Sequence, residues 1–246
     1  MARTRDRLLI NAVVAASLLG TAIPAMASRA EPVMAPWAQG TRLDPMAAYG
    51  DKIIFRVLRN GDPVGSHVVS FDRDGEDLIV RARFELSIEV LFVTAYRYVY
   101  ESTARWRDGR LVSLVADTDE NGTPIRVAAR LEDGTLRISG PKGTATAPAG
   151  IFPTNHWHPG VLETNRVLNT LTGRVNAVQI DDEGVEDLAK GGKTLRARRF
   201  AYSGELDNVV WYDAAGRWVK MRFTGKDGST IEYLCESCIT GTDDPA

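Results

Sequence analysis

Two cysteines and three histidines are all that the 246 residues offer for thiolate or imidazole chemistry. A disulfide-stapled miniprotein or a cysteine-rich metal cluster is therefore excluded. The chain also lacks a dominant charge: 30 basic residues stand against 32 acidic ones, a formal net charge of −2. A surface with so little positive excess gives no global reason to meet nucleic acid, whose phosphates call for a basic face. Long apolar runs are missing as well, apart from one near the start. With 44% hydrophobic and 25% charged residues the composition is that of a globular protein, which excludes a disordered, collagen-like or multi-span membrane chain.

The one apolar run identifies the first 27 residues as a leader. Arg3, Arg5 and Arg7 precede an apolar stretch from Leu8 to Gly20, and Ala25-Met26-Ala27 supplies small residues before a cleavage site between Ala27 and Ser28. This is the layout of a secretory signal peptide, and the apolar stretch falls short of the ~20 residues a membrane-crossing helix needs. No Cys follows the cleavage site, which argues against a lipid anchor. Removing three arginines with only Asp6 leaves a more acidic mature chain. The expected location is the bacterial periplasm or the exterior, with no membrane span in the mature protein.

What remains reads as strands. Residues 28–50, broken by Pro32, Pro36 and Pro45, form a loose lead-in. Residues 51–240 form a single β-rich domain, and 241–246 a tail. The clearest element has Leu78, Val80, Ala82, Phe84, Leu86, Ile88 and Val90 at every second position, the period of a strand with one buried face. The next places Phe92, Tyr96, Tyr98, Tyr100 and Trp106 on one parity, an aromatic stripe. Asn60-Gly61, Asp74-Gly75, Asp108-Gly109, Asn121-Gly122, Asp133-Gly134, Ala215-Gly216 and Asp227-Gly228 punctuate the chain at hairpin intervals. The expectation is an all-β, mainly antiparallel fold, a curved meander or half-open barrel. Its only helical candidate is Gly160 to Leu171, and a Pro/Gly-rich crossover runs over 140–159.

Four features bear on chemistry. A curved sheet with a broad apolar face can enclose a lipid-like ligand, for which Phe84, Leu86, Phe92, Tyr96 and Tyr98 are the candidate contacts, or can pack on an envelope partner. Cys235 and Cys238 are expected to form a local disulfide in an oxidising compartment. As an alternative, His156 and His158 on one face of an extended segment, with Cys235 and Cys238, would make a four-ligand zinc or redox site. Against that stands a reading in which Trp157 simply anchors a surface loop to the core, with His67 an ordinary half-exposed side chain. Arg196 and Arg198 on one strand and Lys220 and Arg222 on another would present a cationic face if those strands were neighbours. No nucleophile elbow or phosphate loop is present, and Asp181, Asp182 and Glu183 are consecutive rather than set on two walls of a cleft. The reading is therefore of a non-catalytic protein without a cofactor, the alternatives being a zinc or redox protein and a structural envelope protein with no small ligand.

A resemblance accompanies these features. Arg59-Asn60-Gly61 with Gly65-Ser66-His67, Tyr96-Arg97-Tyr98, Trp106 with Gly109-Arg110-Leu111, Pro153-Thr154-Asn155-His156-Trp157, Leu171-Thr172-Gly173, and Trp211-Tyr212-Asp213 with Gly216 and Asp227-Gly228 follow one another over Lys52 to Leu234. The series resembles an uncharacterised family of secreted, β-rich bacterial proteins. More distantly it is similar to periplasmic domains whose curved sheets are like those of lipoprotein carriers. The resemblance implies fold and a binding role; Cys235 and Cys238 lie outside it.

Overall fold

The computed structural model describes residues 43–90, 93–190 and 192–238, all within the unit from Met34 to Ala246. The expected leader with its expected Ala27–Ser28 cleavage site, Phe92 and the 241–246 tail lie outside the described residues.

Eight strands follow one another as a meander: β1 (Lys52–Arg59), β2 (Asp62–Asp74), β3 (Asp77–Val90), β4 (Val93–Arg107), β5 (Arg110–Glu120), β6 (Thr123–Glu132), β7 (Thr135–Gly140) and β8 (Gly143–Pro148). Seven more are β9 (Phe152–Pro153), β10 (Arg166–Leu168), β11 (Val175–Lys190), β12 (Lys193–Gly204), β13 (Asn208–Asp213), β14 (Trp218–Thr224) and β15 (Thr230–Ser237). All fifteen belong to one sheet in the order β8-β7-β6-β5-β4-β3-β2-β1-β15-β14-β13-β12-β11-β10-β9. The first strand pairs with the last, so two meanders run outward from the β1–β15 ladder. Every pairing is antiparallel except β9 with β10. The sheet curls into a barrel without a ladder between its two ends, β8 and β9–β10.

The turns follow from the sequence. At Asn60-Gly61, Asp108-Gly109, Asn121-Gly122 and Asp133-Gly134 both residues have positive φ, the conformation that suits two-residue hairpins and that Asn, Asp and Gly adopt most cheaply. Inward parity is continuous across the sheet. Thr118, Tyr100, Phe84, His67 and Phe55 face one another in register on β5, β4, β3, β2 and β1. The neighbouring row holds Tyr98, Leu86, Gly65, Val57 and Tyr233. Gly65 has no alternative there, because a methyl group on it would lie 1.8 Å from the carbonyl oxygen of Glu85.

Three expectations need correction. The segment Gly160 to Leu171 is not one helix: it is a 3-10 turn at Pro159–Glu163 followed by β10. With Pro159 opening it and Thr164 closing it, the turn cannot lengthen before the chain is drawn into the sheet. The lead-in is not loose throughout, since Asp44 caps a short helix, α1 (Pro45–Tyr49), whose Tyr49 is buried. The crossover at 140–159 contains β8 and β9.

Candidate functional site

The interior of the barrel is filled by its own chain. Between β9 and β10 the segment 154–165 turns inward, and Trp157, 2% exposed, packs edge-on against Phe71 and Trp106. Two tyrosines hold its backbone. Tyr49 Oη donates to the Trp157 carbonyl at 2.8 Å and accepts from the Trp218 amide, also at 2.8 Å. Tyr212 Oη donates to the His156 carbonyl at 2.7 Å. Trp157 is thus an anchor, as expected, but of an interior plug and not of a surface loop.

All three histidines meet this interior. His67, expected half-exposed, is 6% exposed and boxed by Phe55, Phe84, Trp218 and Tyr233. Its parity with Val69 and Phe71 was the legible signal. His156 lies edge-on to Tyr202, with ring centroids 5.4 Å apart, and tilted against Trp218 at 5.7 Å. His158 stacks beside Trp106 and is tilted against Phe152, and its Nδ1 accepts from the Gly160 amide at 2.9 Å. Burial pushes the His67 pKa down to about 3, with the His156 imidazole adding to the effect. Burial alone lowers His156 and His158 to about 4. All three are neutral at pH 7.

The two histidines around Trp157 do not share a face. The segment is a turn, not an extended strand, so His156 meets β12 and β14 while His158 meets β4 and β9. Cys235 and Cys238 are joined to each other as a disulfide, with Cα atoms 5.8 Å apart, and Cys238 Sγ lies 3.8 Å from the Ile54 carbonyl. The four-ligand arrangement is not formed; among the described residues no three His, Cys, Asp or Glu side chains gather so as to hold a metal ion. The cationic face is also redistributed. β13 separates β12 from β14, and Arg196, Arg198 and Lys220 pair with Asp187, Asp182 and Glu232. Arg199, Lys220 and Arg222 instead surround the Trp211 ring at 5.9, 5.0 and 5.7 Å.

The proposed ligand contacts are partly consumed by packing. Phe84 and Leu86 are 7% exposed, and Phe84 stacks on Tyr233 and meets Tyr98 edge-on. Tyr96 is half-buried, with its hydroxyl donating to Glu120 at 3.1 Å; burial and that carboxylate push it up to about 12. Glu120 also takes Lys226 at 2.8 Å, which ties the β5–β6 end to the β14–β15 turn.

Open space lies at the sheet's unclosed seam. A cleft of about 780 Å³ has an apolar wall of Ile151, Leu162, Val178 and Ile180 and a rim that includes Glu163 and Arg166. A second cleft of about 230 Å³ continues between β8 and the start of β11. No motif announced this site, because it arises where two distant parts of the chain fail to pair.

Residues 55–236 match the model of a domain of unknown function, DUF6134. The chain belongs to the DUF6134 family. The DUF6134 match spans nearly the whole sheet, from within β1 to within β15. A solved structure with the same architecture is the beta-barrel-like protein of domain of unknown function DUF1849 from Brucella abortus. It is 14% identical, with a TM-score of 0.55 over 77% of this chain and 97% of that one. At that identity the likeness speaks for the fold alone, and it bears out the expectation of an uncharacterised, β-rich, barrel-like family. No curated protein matches the chain. Among the described residues of this DUF6134 member, no helix is long and apolar enough to cross a membrane.

Proposed function

We propose that the protein is an exported, non-catalytic binding protein of the bacterial envelope, and that it takes an apolar guest at the seam of its sheet instead of on the concave face. The observation that carries this reading is the 780 Å³ cleft, an apolar wall with a charged rim, of the size range in which proteins hold small ligands. Export is supported by the Arg-rich leader with its small-residue cleavage site and by the disulfide, a bond at home in an oxidising compartment. Phe84 and Leu86 are 7% exposed, with Phe84 packed against Tyr98 and Tyr233, which favours Ile151, Leu162, Val178 and Ile180 as the contacts of the guest.

The test uses 1-anilinonaphthalene-8-sulfonate as an apolar probe on the folded mature protein. Saturable fluorescence that falls at least tenfold in affinity in Ile180→Trp, whose larger side chain fills the half-buried site, is the expected result. Equal binding by both proteins, or none by the native one, overturns the seam as the binding site. Recovery of the native protein from the cytoplasm with its leader intact overturns export.

A further inference from the structure

We infer that the guest of the seam is an extended peptide strand of a partner protein, flanked by acidic residues, which adds itself between β8 and β11 and completes the barrel. This rests on the seam being the binding site and says what kind of molecule fills it.

One wall of the seam is the outer edge of β8, which has no partner in the described residues, and the other is the stretch of β11 beyond the part that β10 covers. β8 pairs on one side only, with β7. Ala149, just past β8, donates its amide back to Gly134, so by the alternation of an antiparallel ladder Thr144 and Thr146 turn their amides and carbonyls outward, into the seam. On the opposite wall β10 covers β11 only as far as Ala177. The Val178 amide is taken by the Asn165 carbonyl, and the next amide on that edge, Ile180, faces the cleft. Unpaired edges of this kind are templates for another strand unless something blunts them, and on β8 the blunting residue is Pro148, at the wide end, which leaves Thr144 and Thr146 as its open donors.

The slot has a direction. At one end the walls touch: a methyl group on Gly140 would lie 2.9 Å from the Thr172 carbonyl oxygen and 3.1 Å from the Gly173 Cα. From there it widens through the smaller cleft to the larger one. β8 and β11 leave this pinched end in the same direction, from Gly143 and from Val175. A single strand running antiparallel to both would pair with Thr144 and Thr146 of β8 along the narrow cleft and reach the Ile180 amide in the wide one, where Pro148 of β8 offers a carbonyl and no amide, at ~3.3 Å per residue and with alternate side chains directed onto Val178 and Ile180. Thr144, Ala145, Thr146 and Ala147 are small, so they leave room for the incoming backbone.

Charge selects among peptides. Lys142 lines the narrow cleft and Arg166 the wide one, and neither pairs with an acid among the described residues. Arg174 is already held by Glu205 at 3.1 Å, and Glu163 is the one acid on the wide cleft's lining. An incoming segment of alternating apolar residues with an acid at each end complements Lys142 and Arg166.

The experiment selects a displayed library of random eight-residue peptides on the folded mature protein and follows bound peptides by amide hydrogen exchange. The expected result is enrichment of alternating apolar sequences with acidic flanks, and at least tenfold slower exchange at Thr144, Thr146 and Ile180. Backbone N-methylation of the bound peptide should then weaken binding at least tenfold without any change to the protein. Thr146→Pro, at an edge where proline is tolerated, should do the same. Selected peptides that leave those three amides unprotected, or that bind equally when N-methylated, overturn the proposal. So does protection that appears without peptide and rises with protein concentration, which would assign the seam to a second copy of this chain. If no peptide is enriched while oleate displaces 1-anilinonaphthalene-8-sulfonate from the native protein, the strand is refuted and the apolar seam stands. If neither peptide nor anilinonaphthalene probe binds, both readings fall.

Discussion

Lowering the pH from 7 to 5 should cost this protein much of its stability, because all three of its histidines are held neutral in the interior. In the unfolded chain each imidazole titrates near 6.5, whereas burial lowers His67 to about 3 and His156 and His158 to about 4. A folded pKa below the unfolded one means that the unfolded state binds the proton first. The stabilisation is therefore complete above about pH 7 and declines as the pH falls from 6.5 towards 4. Each histidine contributes about 1.4 kcal/mol per pH unit within that window. Between pH 7 and 5 the loss is about 2 kcal/mol per histidine and about 5–6 kcal/mol for the three, comparable with the whole stability of a typical domain. Asp77, lowered to about 2 by hydrogen bonds from Arg107 and Arg105, acts in the opposite sense of charge and in a separate window. Its contribution persists above about pH 4 and is lost only as the pH approaches 2. Urea unfolding at half-unit intervals from pH 7.5 to 5, with the m-value checked for constancy, measures the slope. His156→Gln should reduce that slope by about a third whatever it does to stability at pH 7. A midpoint that stays level between pH 7 and 5 would refute the assignment of three buried neutral imidazoles.

Other substitutions probe the plug, the turn of the sheet and the disulfide. Trp157→Ala empties the space between Phe71, Trp106 and Tyr49 and should cost about 3–5 kcal/mol by denaturant unfolding. Gly65→Ala forces a methyl group onto the Glu85 carbonyl and should destabilise by about 3 kcal/mol or more, or prevent folding, as seen in the yield and thermal midpoint. The double replacement of Cys235 and Cys238 by serine opens a loop of sequence separation 3 and should cost at most about 2 kcal/mol, with the far-ultraviolet circular dichroism unchanged.

Much of the fold was legible because a period of two and the Asn-Gly and Asp-Gly turns act locally. Leu78 to Val90 alternates in the sequence, and Ala82, Phe84 and Leu86 are buried in β3. Asn121-Gly122 reads as a tight hairpin and has positive φ at both residues. The candidate site was far less legible. The alternation marks Phe84 and Leu86 as inward-facing, but not that Phe84 is packed among His67, Tyr98 and Tyr233, nor that residues 154–165, whose Pro and Gly content conceals their direction, turn inward. His67 shares the parity of Val69 and Phe71, and that parity, not its polarity, decides its burial. His156 and His158 would share a face only on an extended backbone, which the turn at Trp157 breaks.

The sequence by itself determined the class of this protein: the strands, which face of each strand is apolar, and where the hairpins turn. These are properties of residues a few positions apart, whose φ, ψ and side-chain alternation are set by local sterics and hydrophobicity. Only the tertiary structure decided that β15 returns to β1, that Trp157 enters the barrel, and that β8 stops short of β11. Backbone pairing is nearly blind to side-chain identity, so strand neighbours more than a hundred residues apart are chosen by how the whole apolar surface closes on itself. The seam is what that closure leaves unpaired.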